Sequence, residues 1–108
     1  MQKGHSNRRR SQGFVYILHL RTGLPRSNGQ AAIHYVGWAR NWIWRIRAHR
    51  AGVSRARMIE VAYERGIPLD IAVVVRGGPE LERAIKRGGH YNRWCPLCGG
   101  RLVDYRWQ

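Results

Sequence analysis

Phe14-Val15-Tyr16-Ile17-Leu18 and His34-Tyr35-Val36-Gly37-Trp38 are the two stretches on which the reading of this chain turns. Each is a β-type apolar run with a tyrosine at or beside its centre. Between them, Gly23, Pro25, Asn28 and Gly29 are turn formers. The pattern predicts a strand at 14–20, a loop over 21–30, and an antiparallel partner at 32–36. Tyrosine is a common strand residue, so both phenols could simply pack.

Working outward, the second run passes through Gly37 into a basic, tryptophan-rich segment. The spacing predicts a helix from about Ala39 to Arg50, ended by Gly52 at a C′ position. On it Trp42, Ile43 and Ile46 form an apolar arc with Arg45 and His49 side by side at its edge. A second helix is expected over 54–65, with Ser54 as its N-cap and Gly66 as its stop. Leu69 to Val75, interrupted only by Asp70, is an apolar run rich in β-branched residues and reads as a buried strand. Gly77-Gly78 turns the chain, and Pro79 opens a third helix that runs to about Arg87. The tail from residue 88 reads as irregular around Cys95-Pro96-Leu97-Cys98, with a short strand at 101–107. The expected fold is α+β, a small mixed or antiparallel β-sheet flanked by three helices in the order ββααβα. Residues 1–12 are polar and basic and read as a flexible arm, leaving 13–108 as a single domain with a Cys-x-x-Cys tail at 88–108.

Charge narrows the partner. Of 108 residues, twenty are Lys or Arg and six are Asp or Glu, a formal net charge of +14. That imbalance costs self-repulsion and suits a polyanionic partner. Lysine occurs only at Lys3 and Lys86; arginine supplies the rest, and guanidinium groups match phosphate oxygens bidentately. Nucleic acid is therefore the expected partner, contacted by Arg40, Trp44, Arg47, Arg50, Lys86 and Arg87. Trp44 sits among arginines on the outer side of its helix, where an indole can stack on an unpaired base. No run approaches the ~20 apolar residues of a membrane span, and no secretory signal follows Arg8-Arg9-Arg10. A cytoplasmic protein, monomeric or transiently dimeric, is the expectation.

Phosphodiester hydrolysis needs an activated water, charge neutralisation on the phosphorane and help for the leaving oxygen. The six acids are Glu60, Glu64, Asp70, Glu80, Glu82 and Asp104. Helical pairing with arginines accounts for Glu60 and Glu64, and the helix dipole accounts for Glu80. Glu80 and Glu82 flank opposite sides of the Leu81–Ile85 stripe, and helical geometry alone does not choose between them. Cys95 and Cys98 are half of a zinc pattern. His90 offers a third ligand, and another histidine or a partner chain a fourth. Reduced thiols that close the tail onto the sheet are the plainer expectation.

The order of these elements resembles the GIY-YIG endonuclease superfamily. Tyr16 lies in a first strand, Tyr35-Val36-Gly37 in a second, Arg45 eight residues beyond, and His49 a turn later. Leu81-Glu82-Arg83-Ala84-Ile85-Lys86 is similar to the family's glutamate-bearing helix, and the Cys-x-x-Cys tail recurs in small stand-alone members. The resemblance covers about residues 14–98. It implies a metal-dependent endonuclease that hydrolyses DNA, with structure-specific cutting one option, in repair, recombination or mobile-element work. Tyr16 would be the general base or water-positioning phenol, and Tyr35 would orient the water or phosphate. Arg45 would stabilise the phosphorane and His49 would assist. Glu82 would hold Mg²⁺ or Mn²⁺. Phe14 stands where the first motif has glycine, and the gap from Tyr16 to Tyr35 is longer than usual. Asn92 is a candidate for the family's late asparagine. The alternatives are a non-enzymatic nucleic-acid-binding module and an inactive family member.

Overall fold

The computed structural model describes residues 13–89 and 91–98. The arm at 1–12, His90, the side chain of Asn92 and the expected strand at 101–107 lie outside the described residues. Three strands form one antiparallel sheet: β1 (Phe14–Pro25), β2 (Ala31–Ala39) and β3 (Leu69–Arg76), in the order β2-β1-β3. Four helices follow the expected order and extend it: α1 (Trp42–Arg50), α2 (Arg57–Glu64), α3 (Pro79–Gly88) and a single turn α4 (Tyr91–Trp94). A 3₁₀ turn, Pro96–Cys98, occupies part of the tail that the sequence left irregular.

The period of two along β1 makes the sheet two-sided. Tyr16, Leu18 and Leu20 point to one face, where they pack with Ile46 of α1, and with Ile59 and Ala62 of α2. Val15 and Ile17 point to the other, with Val36, Val73 and Ile85 of α3, flanked by Leu81, Tyr91 and Trp94. Val15, Ile17, Leu18, Leu20 and Ile59 are fully buried, each contributing about 1.5–3 kcal/mol by transfer from water. The β3 ladder skips Ala72, so Val73 opposes Ile17 while Ile71 opposes Leu18. That irregularity keeps the β-branched run supplying both faces.

Both strands of the hairpin run longer than expected, to Pro25 and Ala39. The tip closes with Gly29 at φ 84° and with its N–H donated to the carbonyl of Arg26 (3.1 Å). Because Ala39 pairs with Phe14, α1 begins only at Trp42, and Asn41 caps it by accepting from the Trp44 amide (3.1 Å). Gly52 closes that helix at φ 76°, as its position implied, and a Cβ there would collide with the Tyr63 ring.

Two local expectations are corrected. Ser54 does not cap α2, which starts at Arg57 with Ala56 in the cap position and no side-chain cap bond; the Ser54 hydroxyl is turned inward to His49 instead. Ile43 does not join the apolar arc: it is 51% exposed, because α1 turns Ile46 and His49 to the sheet. Trp38 packs from β2 on the face opposite Trp42, and its indole N–H donates to the carbonyl of Gly77 (2.7 Å).

Candidate functional site

The β1–β2 register places Tyr16 opposite Gly37 and Leu18 opposite Tyr35, so both phenols share the face covered by α1. The Tyr16 ring lies over Gly37. A Cβ at 37 would fall inside the van der Waals envelope of the phenol carbon and hydroxyl, so only a residue without a side chain allows this crossing. From α1, His49 meets Tyr16: its Nε2 is 2.8 Å from the phenolic oxygen, in a buried hydrogen bond. His49 Nδ1 is 2.6 Å from the Ser54 hydroxyl. Tyr35 completes the aromatic group, with ring centroids 6.5 Å from Tyr16 and 5.3 Å from His49.

Burial sets the protonation states. Desolvation lowers the His49 pKa to about 4, with the Arg45 charge adding to the effect. Desolvation also pushes Tyr16 up to about 12. Tyr35 and, more weakly, Glu82 raise it further, while a hydrogen bond from Arg45 and its charge pull it down. At neutral pH the imidazole is neutral and the phenol keeps its proton. Tyr16 and Nε2 share one hydrogen bond, and Nδ1 and the Ser54 hydroxyl share another.

Of the five residues singled out in the sequence, Tyr16, Tyr35, Arg45 and His49 lie at this phenol, whereas Glu82 reaches it only as a weak through-space charge. Their exposure differs. Tyr16 is 1% and His49 0% exposed, whereas Arg45 is exposed and Tyr35 and Glu82 are half-buried. Leu81 and Ile85 of α3 pack on the face opposite Tyr16, yet Glu82 from the first turn of that helix still acts on the phenol through space. A cavity of about 340 Å³ opens beside His49, lined by Arg50, Tyr63 and the Arg21–Asp70 ion pair; Tyr16 and Tyr35 do not line it.

The residues expected to touch DNA divide. Arg40, Arg47 and Arg87 are exposed, as is Trp44 at 67%. Arg50 donates to the Leu69 carbonyl (2.7 Å) and so ties α1 to β3. Lys86 pairs with Glu82 at 3.0 Å.

The expectation of Mg²⁺ or Mn²⁺ is corrected. Hard cations take several oxygen ligands, and Glu82 is a single carboxylate already engaged by Lys86. The gathering of potential metal ligands among the described residues lies on the other face of the sheet. It comprises His19, His34, Cys95 and Cys98, whose ligand atoms all lie within 4.8 Å of one another. Nitrogen and sulfur donors in this arrangement match a zinc site. The sequence pointed to the two cysteines; His19 and His34 were missed. They lie directly opposite each other in the β1–β2 register.

The chain is therefore a small α+β protein with two separate side-chain clusters, one on each face of a three-stranded antiparallel sheet. Compared with known proteins, it matches no family model, no curated protein and no solved structure. Among the described residues no helix is long and apolar enough to cross a membrane.

Proposed function

We propose that this chain binds DNA through its arginine-rich surface and hydrolyses phosphodiester bonds at the phenol cluster. The observation that carries the reading is the buried Tyr16–His49 hydrogen bond, with Arg45 bearing on the same phenol. The order of Tyr16 on β1, Tyr35 on β2, Arg45 and His49 on α1 and Glu82 on α3 resembles that of GIY-YIG endonucleases. Tyr16, hydrogen-bonded to His49, orients the attacking water. Arg45 stabilises negative charge on the phosphorane. Tyr35 lines the approach, and Glu82 supplies the carboxylate.

Purified protein incubated with branched and plain duplex DNA, across a panel of divalent cations and in chelator, tests the reading. Wild type should nick or cut. Arg45→Ala and Glu82→Ala should lose cleavage by at least about 100-fold, as removal of a charge-stabilising group does. DNA affinity should fall steeply with salt. Absence of cutting on every substrate, or cleavage by Glu82→Ala equal to wild type, would refute it.

One observation favours a second reading, a DNA-binding module without catalysis. Tyr16 and His49 are closed off from solvent, as packing residues are. On that reading Tyr16→Phe leaves DNA binding intact and no cleavage is there to lose.

A further inference from the structure

We propose that His19, His34, Cys95 and Cys98 bind one Zn²⁺ in a closed tetrahedral site that clips the C-terminal turn to the sheet. Three separations carry the geometry. The Cys95 Sγ is 3.6 Å and the Cys98 Sγ 3.5 Å from His19 Nδ1, and Cys98 Sγ is 3.3 Å from His34 Nε2. A tetrahedral ion with the usual zinc–sulfur and zinc–nitrogen bond lengths sets each sulfur roughly 3.6 Å from each nitrogen. These three sulfur–nitrogen separations match that value, and all four donors lie within 4.8 Å of one another.

Hydrogen bonding alone does not account for these contacts. His19 Nδ1 faces two sulfurs, and Cys98 Sγ faces two nitrogens. A thiol can donate to one nitrogen and accept from another, but a ring nitrogen has one lone pair or one N–H, so His19 Nδ1, which faces two sulfurs, is oversubscribed. A central cation satisfies all four groups at once. Both cysteines are free thiols, available as thiolates once a metal displaces their protons. Two thiolates and two neutral imidazoles give the ion a charge-neutral shell.

The fold builds the site from opposite ends of the chain. The imidazoles are a cross-strand pair with ring centroids 5.4 Å apart, and Tyr91 stands edge-on to His34 at 6.1 Å. The thiols come from one tight turn, in which the Cys98 amide donates to the Cys95 carbonyl (3.0 Å). Four protein ligands leave no open position, which defines a structural rather than a catalytic zinc. Tyr91 and Trp94, just before the turn, pack on the same core as Ile85 of α3. The ion therefore fastens the segment that covers that helix.

Metal analysis of the full chain, purified under reducing conditions without chelator, tests the proposal. One zinc per chain is expected. Zinc-edge X-ray absorption should show two sulfur and two nitrogen neighbours, and Co²⁺ substitution should give an intense tetrahedral spectrum with thiolate charge transfer. These readouts use wild type and do not depend on a variant folding. His34→Ala should lose zinc affinity by more than the about 10- to 100-fold typical of changes outside the ligand shell, whereas Cys98→His should retain tetrahedral binding. Metal-free protein that takes up no zinc, a Cys95–Cys98 disulfide in the reduced preparation, or a sulfur-only site indifferent to His34→Ala would each overturn it. None of these outcomes depends on DNA cleavage.

Discussion

Acidification should destabilise the fold through His49. In the unfolded chain this histidine titrates near 6.5; in the fold its pKa is about 4, because burial and then the Arg45 guanidinium disfavour the charged ring. Between those values the unfolded state binds the proton and the folded state does not. Stability is therefore complete above pH 6.5 and falls as the pH drops towards 4. At 1.36 kcal/mol for each unit of pKa difference, the loss from this one residue comes to about 3 kcal/mol. That is a large fraction of the ~5–15 kcal/mol that holds a domain of ordinary stability. His34 is shifted the same way, by burial and by His19, so a bulk unfolding curve mixes the two. Residue-resolved NMR titration of the imidazole rings, paired with urea unfolding at pH 7, 5.5 and 4, separates them. A His49 ring that titrates near 6.5 in the folded protein would refute the reasoning, as would an unfolding free energy flat across that interval.

Two further outcomes follow from the same cluster. Tyr16 should ionise only near pH 12. The stability its raised pKa provides is present below pH 10 and lost as the pH climbs through 12, which ultraviolet titration of wild type against Tyr16→Phe reads directly. Gly37→Ala should cost about 1–3 kcal/mol by overpacking against the Tyr16 phenol and should break the Tyr16–His49 bond, visible as a rise in the His49 pKa; a melting temperature and titration equal to wild type would count against the close approach.

The strands and helices were legible because apolar periodicity speaks locally. The runs around Tyr16, Tyr35 and Val73 announced strands, and Pro79, Gly52 and the turn formers at 23–29 marked the breaks. The start of α1 was misjudged because the sequence around Ala39 says nothing of the ladder bond to Phe14 that holds it in a strand. Ser54 was misassigned for a similar reason: a serine before a helix looks like a cap, and the partner that claims it, His49, lies across a turn. The phenol cluster could be guessed from the order of its parts. The sulfur–imidazole cluster could not, since its ligands are separated by most of the chain. A signal did exist. Tyr35 and His34 are adjacent in β2 and must point to opposite faces, and Tyr16 and His19 differ in parity along β1. If the tyrosines share a face, the histidines share the other.

That alternation limits how the chain can vary. Adding or removing one residue between Tyr16 and His19 would turn one of them to the wrong side, separating a phenol from its imidazole partner or an imidazole from its sulfurs. Length changes are tolerable at the hairpin tip around Arg26–Gln30, where the backbone is already exposed and neither cluster has a member. Variants of this protein should therefore differ in the reach of that tip while the spacing of three from Tyr16 to His19 stays constant.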